Sequence, residues 1–213
     1  KILLVNGARQ IGKSYIIRYV GTRLFKNFVE INLKADKEGQ GIFLSVRSKD
    51  DFYLQLGAIA GNKLGSKDDT LVFLDEIQSY PHLMTMLKFL NEDGRYRYIA
   101  SGSELGVALA QTPSVPIGSI TIEQMYPLDF EEYLLAMGCG KNTIDGVREC
   151  YKNHKPLNDS MHNYMLQQFK LYLLVGGMPD AINKFLENRN ITQVRSIQRN
   201  IHSLYRIDAS QYD

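Results

Sequence analysis

Eight residues near the N-terminus, Gly7-Ala8-Arg9-Gln10-Ile11-Gly12-Lys13-Ser14, match G-x-x-x-x-G-K-[ST] in full. This spacing lets a short loop wrap a phosphate with successive backbone N–H groups, and the two glycines allow that approach without Cβ clashes. Lys13 would reach the β and γ phosphates of a nucleotide, and Ser14 would set its hydroxyl on Mg²⁺. A helix starting there would turn its positive end toward the anion. Arg9 lies inside the loop at a position the motif does not need.

A second chemical feature is Asp75-Glu76, which follows the apolar run Leu71-Val72-Phe73-Leu74. Alone, such a dipeptide is usually a solvated turn. At the C-terminal end of a buried parallel strand, where open sheets bind ligands, it suits phosphate chemistry. Asp75 would hold Mg²⁺, and Glu76 would accept a proton from the water attacking the γ-phosphate. Ser101 and Ser103 end the next strand at the same edge. Either could hydrogen-bond that water or the phosphate, with Ser101 preferred, while Ser103 before Glu104-Leu105 could instead cap a helix. Arg95 and Arg97 precede that strand, at the opposite end from the phosphates, and are structural within one subunit. Asn62-Lys63-Leu64-Gly65 begins like the guanine-reading N-K-x-D, but Gly65 supplies no carboxylate, which favours ATP over GTP.

The elements that must hold these residues follow from the apolar pattern. Ile2–Val5, 28–33, 71–74, 96–100 and 117–125 read as strands, with helices predicted over 14–24, 51–59 and after Ser79-Tyr80-Pro81, and 34–50 as mostly loop. Alternating strands and helices predict a parallel α/β sheet. Beyond Pro127 the pattern turns helical over 130–137, 161–175, 180–186 and 192–205. Two regions are therefore expected, an α/β core over 1–127 and a smaller all-helical region over 128–213, read as a lid and the start of a truncated C-terminal domain. Charge does not mark the boundary, since 15 basic and 13 acidic residues precede it and 10 of each follow.

The 213 residues carry 44% hydrophobic and 23% charged side chains and a net charge of +2. That composition suits a folded core, and the charge balance argues against bulk attraction to nucleic acid or membrane. Cys139 and Cys150 fit neither a redox pair nor a zinc knuckle, and no apolar stretch is long enough to cross a membrane, so a cytoplasmic protein is expected. His82, His154 and His162 read as surface or capping residues, and the seven methionines as core filler. The sequence begins at Lys1 inside an apolar run and is read as a fragment of a longer chain.

Five blocks in order, GARQIGKS (7–14), VFLDEIQ (72–78), IASGSELG (99–106), MYPLDFEEYL (125–134) and VGGMPDAI (175–182), make the chain resemble the prokaryotic AAA-type ATPases with a C-terminal domain of unknown function. These are P-loop NTPases of the ASCE class, similar to its STAND-like branch. The resemblance implies an Mg²⁺-dependent ATPase, with Gly12, Lys13 and Ser14 on phosphate and metal, Asp75 on the metal, Glu76 as base, and Ser101 or Ser103 as the sensing polar group. It also implies that Pro179, in G-G-x-P, lies against the nucleotide, although such a turn is otherwise simply a helix break. Relatives often carry Gly-Arg where this chain has Gly118-Ser119. A homo-oligomer, in which a neighbour's arginine completes the site, is a further implication, with no arginine here assignable to that role.

The alternative to a turnover enzyme is a slow nucleotide-gated switch. Arg195, Arg199, His202 and Arg206 recur at helical steps opposite Val194, Ile197, Ile201, Leu204 and Tyr205. That is an ordinary docked surface helix, or a stripe on which nucleic-acid phosphates or a protein partner would bind.

Overall fold

The computed structural model describes residues 1–103 and 118–210, apart from the Asp208 side chain. The chain divides into two compact units, Lys1–Met125 and Tyr126–Asp213.

In the first unit, strands β1 (Ile2–Asn6), β2 (Asn27–Asn32), β3 (Thr70–Asp75), β4 (Arg97–Gly102) and β5 (Ile120–Gln124) form one sheet in the order β2-β3-β4-β1-β5. Every pairing is parallel. Helices α1 (Lys13–Leu24), α2 (Leu33–Glu38), α3 (Lys49–Ala60) and α4 (Pro81–Asp93) supply the crossovers. Side chains alternate along the strands. Leu4, Val72, Leu74 and Ala100 join Phe52, Leu56, Leu83 and Leu87 in the larger core. Val5 and Phe73 form a second cluster with Ile17 of α1, and Leu3, Phe28, Ile99 and Met125 pack against it. Strand β3, flanked by β2 and β4, is buried at all six positions, which suits the unbroken apolar run Leu71–Leu74 at its middle.

Residues 39–48 are loop and turn as expected, with a short helix before them. Asn32 accepts the Ala35 N–H and starts that helix, α2. The Asp36 carboxylate then accepts the Ile42 and Phe43 N–H groups and the Tyr80 hydroxyl, tying the following loop down. No side chain caps α4, where a 3-10 turn, Ile77–Ser79, leads directly into Pro81. The predicted start of β5 at Ile117, and Glu104 and Leu105 after Ser103, lie outside the described residues.

The second unit is helical among the described residues: α5 (Phe130–Ala136), α6 (Lys141–Lys152), α7 (Asp159–Val175), α8 (Pro179–Asn188) and α9 (Ile191–Ala209). Helix α6 is not among the helices expected above: its composition is strongly polar, and Ile144 is its one buried residue. Tyr133, Val175, Ala181, Ile182, Phe185 and Val194 form the core. Asp129 and Glu132 make a reciprocal capping box at the start of α5. Leu128 donates its N–H to the Gly177 carbonyl at 2.8 Å and accepts the Tyr172 hydroxyl at 3.0 Å. A Cβ on Gly177 would stand 2.1 Å from the Leu128 oxygen. The Gly-Gly block is thus a seat for the backbone of the Pro-Leu-Asp-Phe block. No helix among the described residues is long and apolar enough to cross a membrane.

Candidate nucleotide site

The loop from Gly7 to Gly12 joins the C-terminal end of β1 to α1, so it opens at the carboxyl edge of the sheet. Gly7 must be small because a Cβ there would lie 2.4 Å from the Met125 carbonyl. Gly12, at φ 96, provides the left-handed turn into α1. Among the described residues no side chain caps the first N–H groups of that helix, the condition under which a helix start receives an anion.

Lys13 is only 5% exposed, and its ammonium donates to the Gly7 and Ala8 carbonyls at 2.8 Å each. Burial pulls its pKa below the usual lysine range, against the opposing pull of the Glu76 and Asp75 carboxylates. Ser14 donates its hydroxyl to Asp75 Oδ2 at 2.8 Å. The neighbouring oxygen, Oδ1, accepts the Ser101 hydroxyl. Register explains that last contact: Leu74 pairs with Ala100, which sets Asp75 beside Ser101.

Glu76 is the first residue past β3 and holds a left-handed backbone, φ 56 and ψ 48. Non-glycine residues in that region carry strain and cluster at functional sites. The turn brings Gln78 back so that its amide donates to the Glu76 carboxylate and to Ser103 Oγ, the latter at 3.2 Å. Ser103 also lies 3.3 Å from Glu76 Oε2, and Arg9 donates its Nε–H to Ser103 at 3.4 Å. Gln78 Oε1 is buried with no hydrogen-bond partner among the described residues. A cleft of about 300 Å³ opens here, lined by Arg9, Gln10, Gly12, Lys13, Ser14, Tyr15 and Glu76. Ile11 is buried at 1% exposed and anchors the loop.

The two serines are thus separated. Ser101 is fully buried on Asp75, whereas Ser103 is half-buried and faces Glu76. Gln78 closes the VFLDEIQ block without a role assigned to it, and Tyr15 carries no motif signal in the sequence. Gln78 needed the left-handed turn to be folded onto Glu76, and Tyr15 stands one position past the motif. Pro179 is the first residue of α8, after the Gly-Gly seat in the second unit. Ser119 is 8% exposed and accepts the Ile2 N–H through its carbonyl at the amino end of the sheet, away from the loop. Arg97 pairs with Asp68 at 2.8 Å, and Arg95 covers the Tyr53 ring at 3.8 Å, both away from the loop. Gly65 donates its N–H to Thr70 Oγ1 at that same amino end.

The residues at the loop fit an Mg²⁺-bound nucleoside triphosphate. A hydroxyl and a carboxylate oxygen 2.8 Å apart suit a hard cation that takes few protein ligands and completes its shell with phosphate and water. The Lys13 ammonium has only neutral carbonyls as its described hydrogen-bond acceptors.

Several solved structures are similar to the chain at low identity. Aeropyrum pernix ORC1 in complex with DNA is 16% identical, with 62% of this chain and 41% of that one covered at a TM-score of 0.43. Cdc6p from Pyrobaculum aerophilum is 15% identical, covering 63% and 41% at 0.42. The S. cerevisiae Hsp104-ADP complex is 16% identical, covering 85% and 26% at 0.45. This chain spans less than half the length of each. Among curated proteins none matches it. The family model described as AAA domain matches residues 1–134, which take in the loop, the acidic pair and the serine strand, and the chain belongs to that family.

Proposed function

We propose that this chain binds ATP with Mg²⁺ and hydrolyses it to ADP and phosphate. The observation that carries the reading is the convergence at one sheet edge of a buried Lys13, the Ser14–Asp75 pair and Glu76. On this reading the Lys13 ammonium exchanges two carbonyl acceptors for β and γ phosphate oxygens, and the N–H groups of the loop and of the start of α1 enclose the phosphates. Bound Mg²⁺ supplies charge neutralisation between the phosphate oxygens. Ser14 and Asp75 would hold it, and Ser101 acts through Asp75, fixing the carboxylate from behind. Glu76 takes a proton from water as the water oxygen bonds the γ-phosphorus and the bond to the bridging oxygen breaks. Ser103 and Gln78 keep the Glu76 carboxylate at the mouth of the cleft.

Turnover of ATP with products resolved tests this. Lys13→Ala is expected to lose nucleotide binding and turnover together. Glu76→Gln is expected to keep binding while hydrolysis falls about a hundredfold or more, the usual range for a general base. A Glu76→Gln protein at the wild-type rate would remove the assignment of Glu76 as base.

The second reading, a slow nucleotide-gated contact with nucleic acid or protein, draws on α9. Arg195, Arg199, His202 and Arg206 are all exposed there, while Val194 and Ile201 are buried. A shallow depression of about 490 Å³ runs along Arg195, Gln198, Arg199, His202 and Ser203. An anionic strand is the partner that such a row of cations would take, and a second copy of the chain is the alternative to be excluded.

A further inference from the structure

Helix α1 buries Lys13, Ile17 and Gly21 at four-residue steps and leaves a different face open. On that open face Tyr15 is 67% exposed and Tyr19 is 45% exposed, part of an exposed apolar surface that also includes Ile16, Val20 and Leu24. The two rings stack with centroids 6.3 Å apart and planes 27° from parallel. The Arg23 guanidinium lies 3.5 Å from the centre of the Tyr19 ring. Residues 15, 19 and 23 thus form a ladder in which Arg23 holds Tyr19 and Tyr19 holds one face of Tyr15.

Tyr15 is also a wall of the phosphate cleft. Side chains on a helix lean toward its N-terminus, so a ring on the first turn is carried toward the mouth of the loop instead of away from it. A nucleotide seated with its phosphates on Gly7–Ser14 leaves its base just outside the loop, where the propped ring stands. We infer that the open face of Tyr15 is the stacking platform for the base of the nucleotide, a subsite that rests on the nucleotide reading of the loop. Stacking tolerates any base because each has a π-face. Tyr15 therefore supplies affinity for nucleosides over bare phosphate and does not choose between adenine and guanine.

The experiment compares ATP with inorganic tripolyphosphate, both with Mg²⁺, by calorimetric titration of the full chain. Lys13→Ala is the control for the site itself: if it leaves ATP affinity unchanged, the nucleotide reading of the loop fails. With that control satisfied, Tyr15→Ala is expected to weaken ATP and GTP alike by about tenfold, the scale of one missing base stack, with tripolyphosphate affinity unchanged. Tyr15→Phe is expected to bind ATP as the native chain does. Equal losses for ATP and tripolyphosphate, or no loss for ATP, would overturn the inference. Because the chain has no tryptophan, Tyr15→Trp gives a single tryptophan, which can be excited apart from the remaining tyrosines. Its emission is expected to be quenched by ATP and untouched by tripolyphosphate, and identical responses to both would also overturn the subsite.

Discussion

Lys13 shows how one side chain is poised by opposing effects. Burial favours its neutral form, and the Glu76 and Asp75 carboxylates favour the charged one, with burial the larger influence. Folding therefore works against the Lys13 charge. That cost is present below the lowered pKa and disappears as pH rises toward the ordinary lysine value of 10.5. Bound phosphates act in the opposite sense by favouring the ammonium. ATP affinity is accordingly expected to be steady near neutrality and to fall with rising pH earlier than an ordinary lysine would dictate. Titrations from about pH 7 to about pH 10 check this, bracketing the reference lysine value from below. An affinity flat throughout that range would show that burial does not lower the Lys13 pKa in the folded chain. Asp75 shows a different economy: its two oxygens are divided, one to Ser14 and the other to Ser101. The carboxylate cannot rotate without breaking one of those hydrogen bonds.

Elements decide which of these side chains can meet. The parallel register of β3 with β4 puts Asp75 beside Ser101, and β1 between β4 and β5 places the loop at the same edge. A slip by one residue would turn Asp75 to the other face of the sheet and abolish both hydrogen bonds. In the helical unit the comparable constraint is the seat of Leu128 on Gly177. Gly177→Ala would drive a methyl group into the Leu128 carbonyl, which is held in place by the Tyr172 hydroxyl. The change is expected to cost about 1–3 kcal/mol, as overpacking of a tight site does, and to lower the melting temperature by several degrees. A melting curve equal to the native one would show that the backbone moves aside freely.

At the scale of the whole chain, two units differ in kind: a sheet whose edge gathers reactive groups, and a helical unit with an exposed row of cations on α9. If that row binds DNA, replacing Arg195, Arg199 and Arg206 together by Ala should weaken binding at low salt. The slope of log affinity against log salt should shrink by up to about 2.7, roughly 0.9 for each phosphate that is no longer neutralised. Basal ATP turnover is expected to stay at the native rate, since none of the three belongs to the catalytic groups. Binding and salt slope both unchanged would return α9 to an ordinary solvated surface helix. Addition of double-stranded DNA to the turnover assay separates the enzyme from the switch. Stimulated phosphate release supports an ATPase coupled to nucleic acid, and tight ATP binding without turnover supports the gate.

The sequence by itself carried the loop, the acidic pair, the five strands and the parallel arrangement, because these rest on local rules. A phosphate loop is contiguous, and a strand buried on both faces must be continuously apolar. Helix α6 went unread although Ile144, Val147 and Tyr151 recur at helical steps, since the rest of it is strongly polar and only Ile144 is buried. Helix α2 was hidden by its polar composition and its six-residue length. The tertiary structure alone decided the pairings between distant residues. It gave Ser101 to Asp75 and Ser103 to Glu76, folded Gln78 back through a left-handed glutamate, and propped Tyr15 at the cleft. Those outcomes depend on strand order, register and one unusual backbone angle, which no pattern of neighbouring residue types encodes.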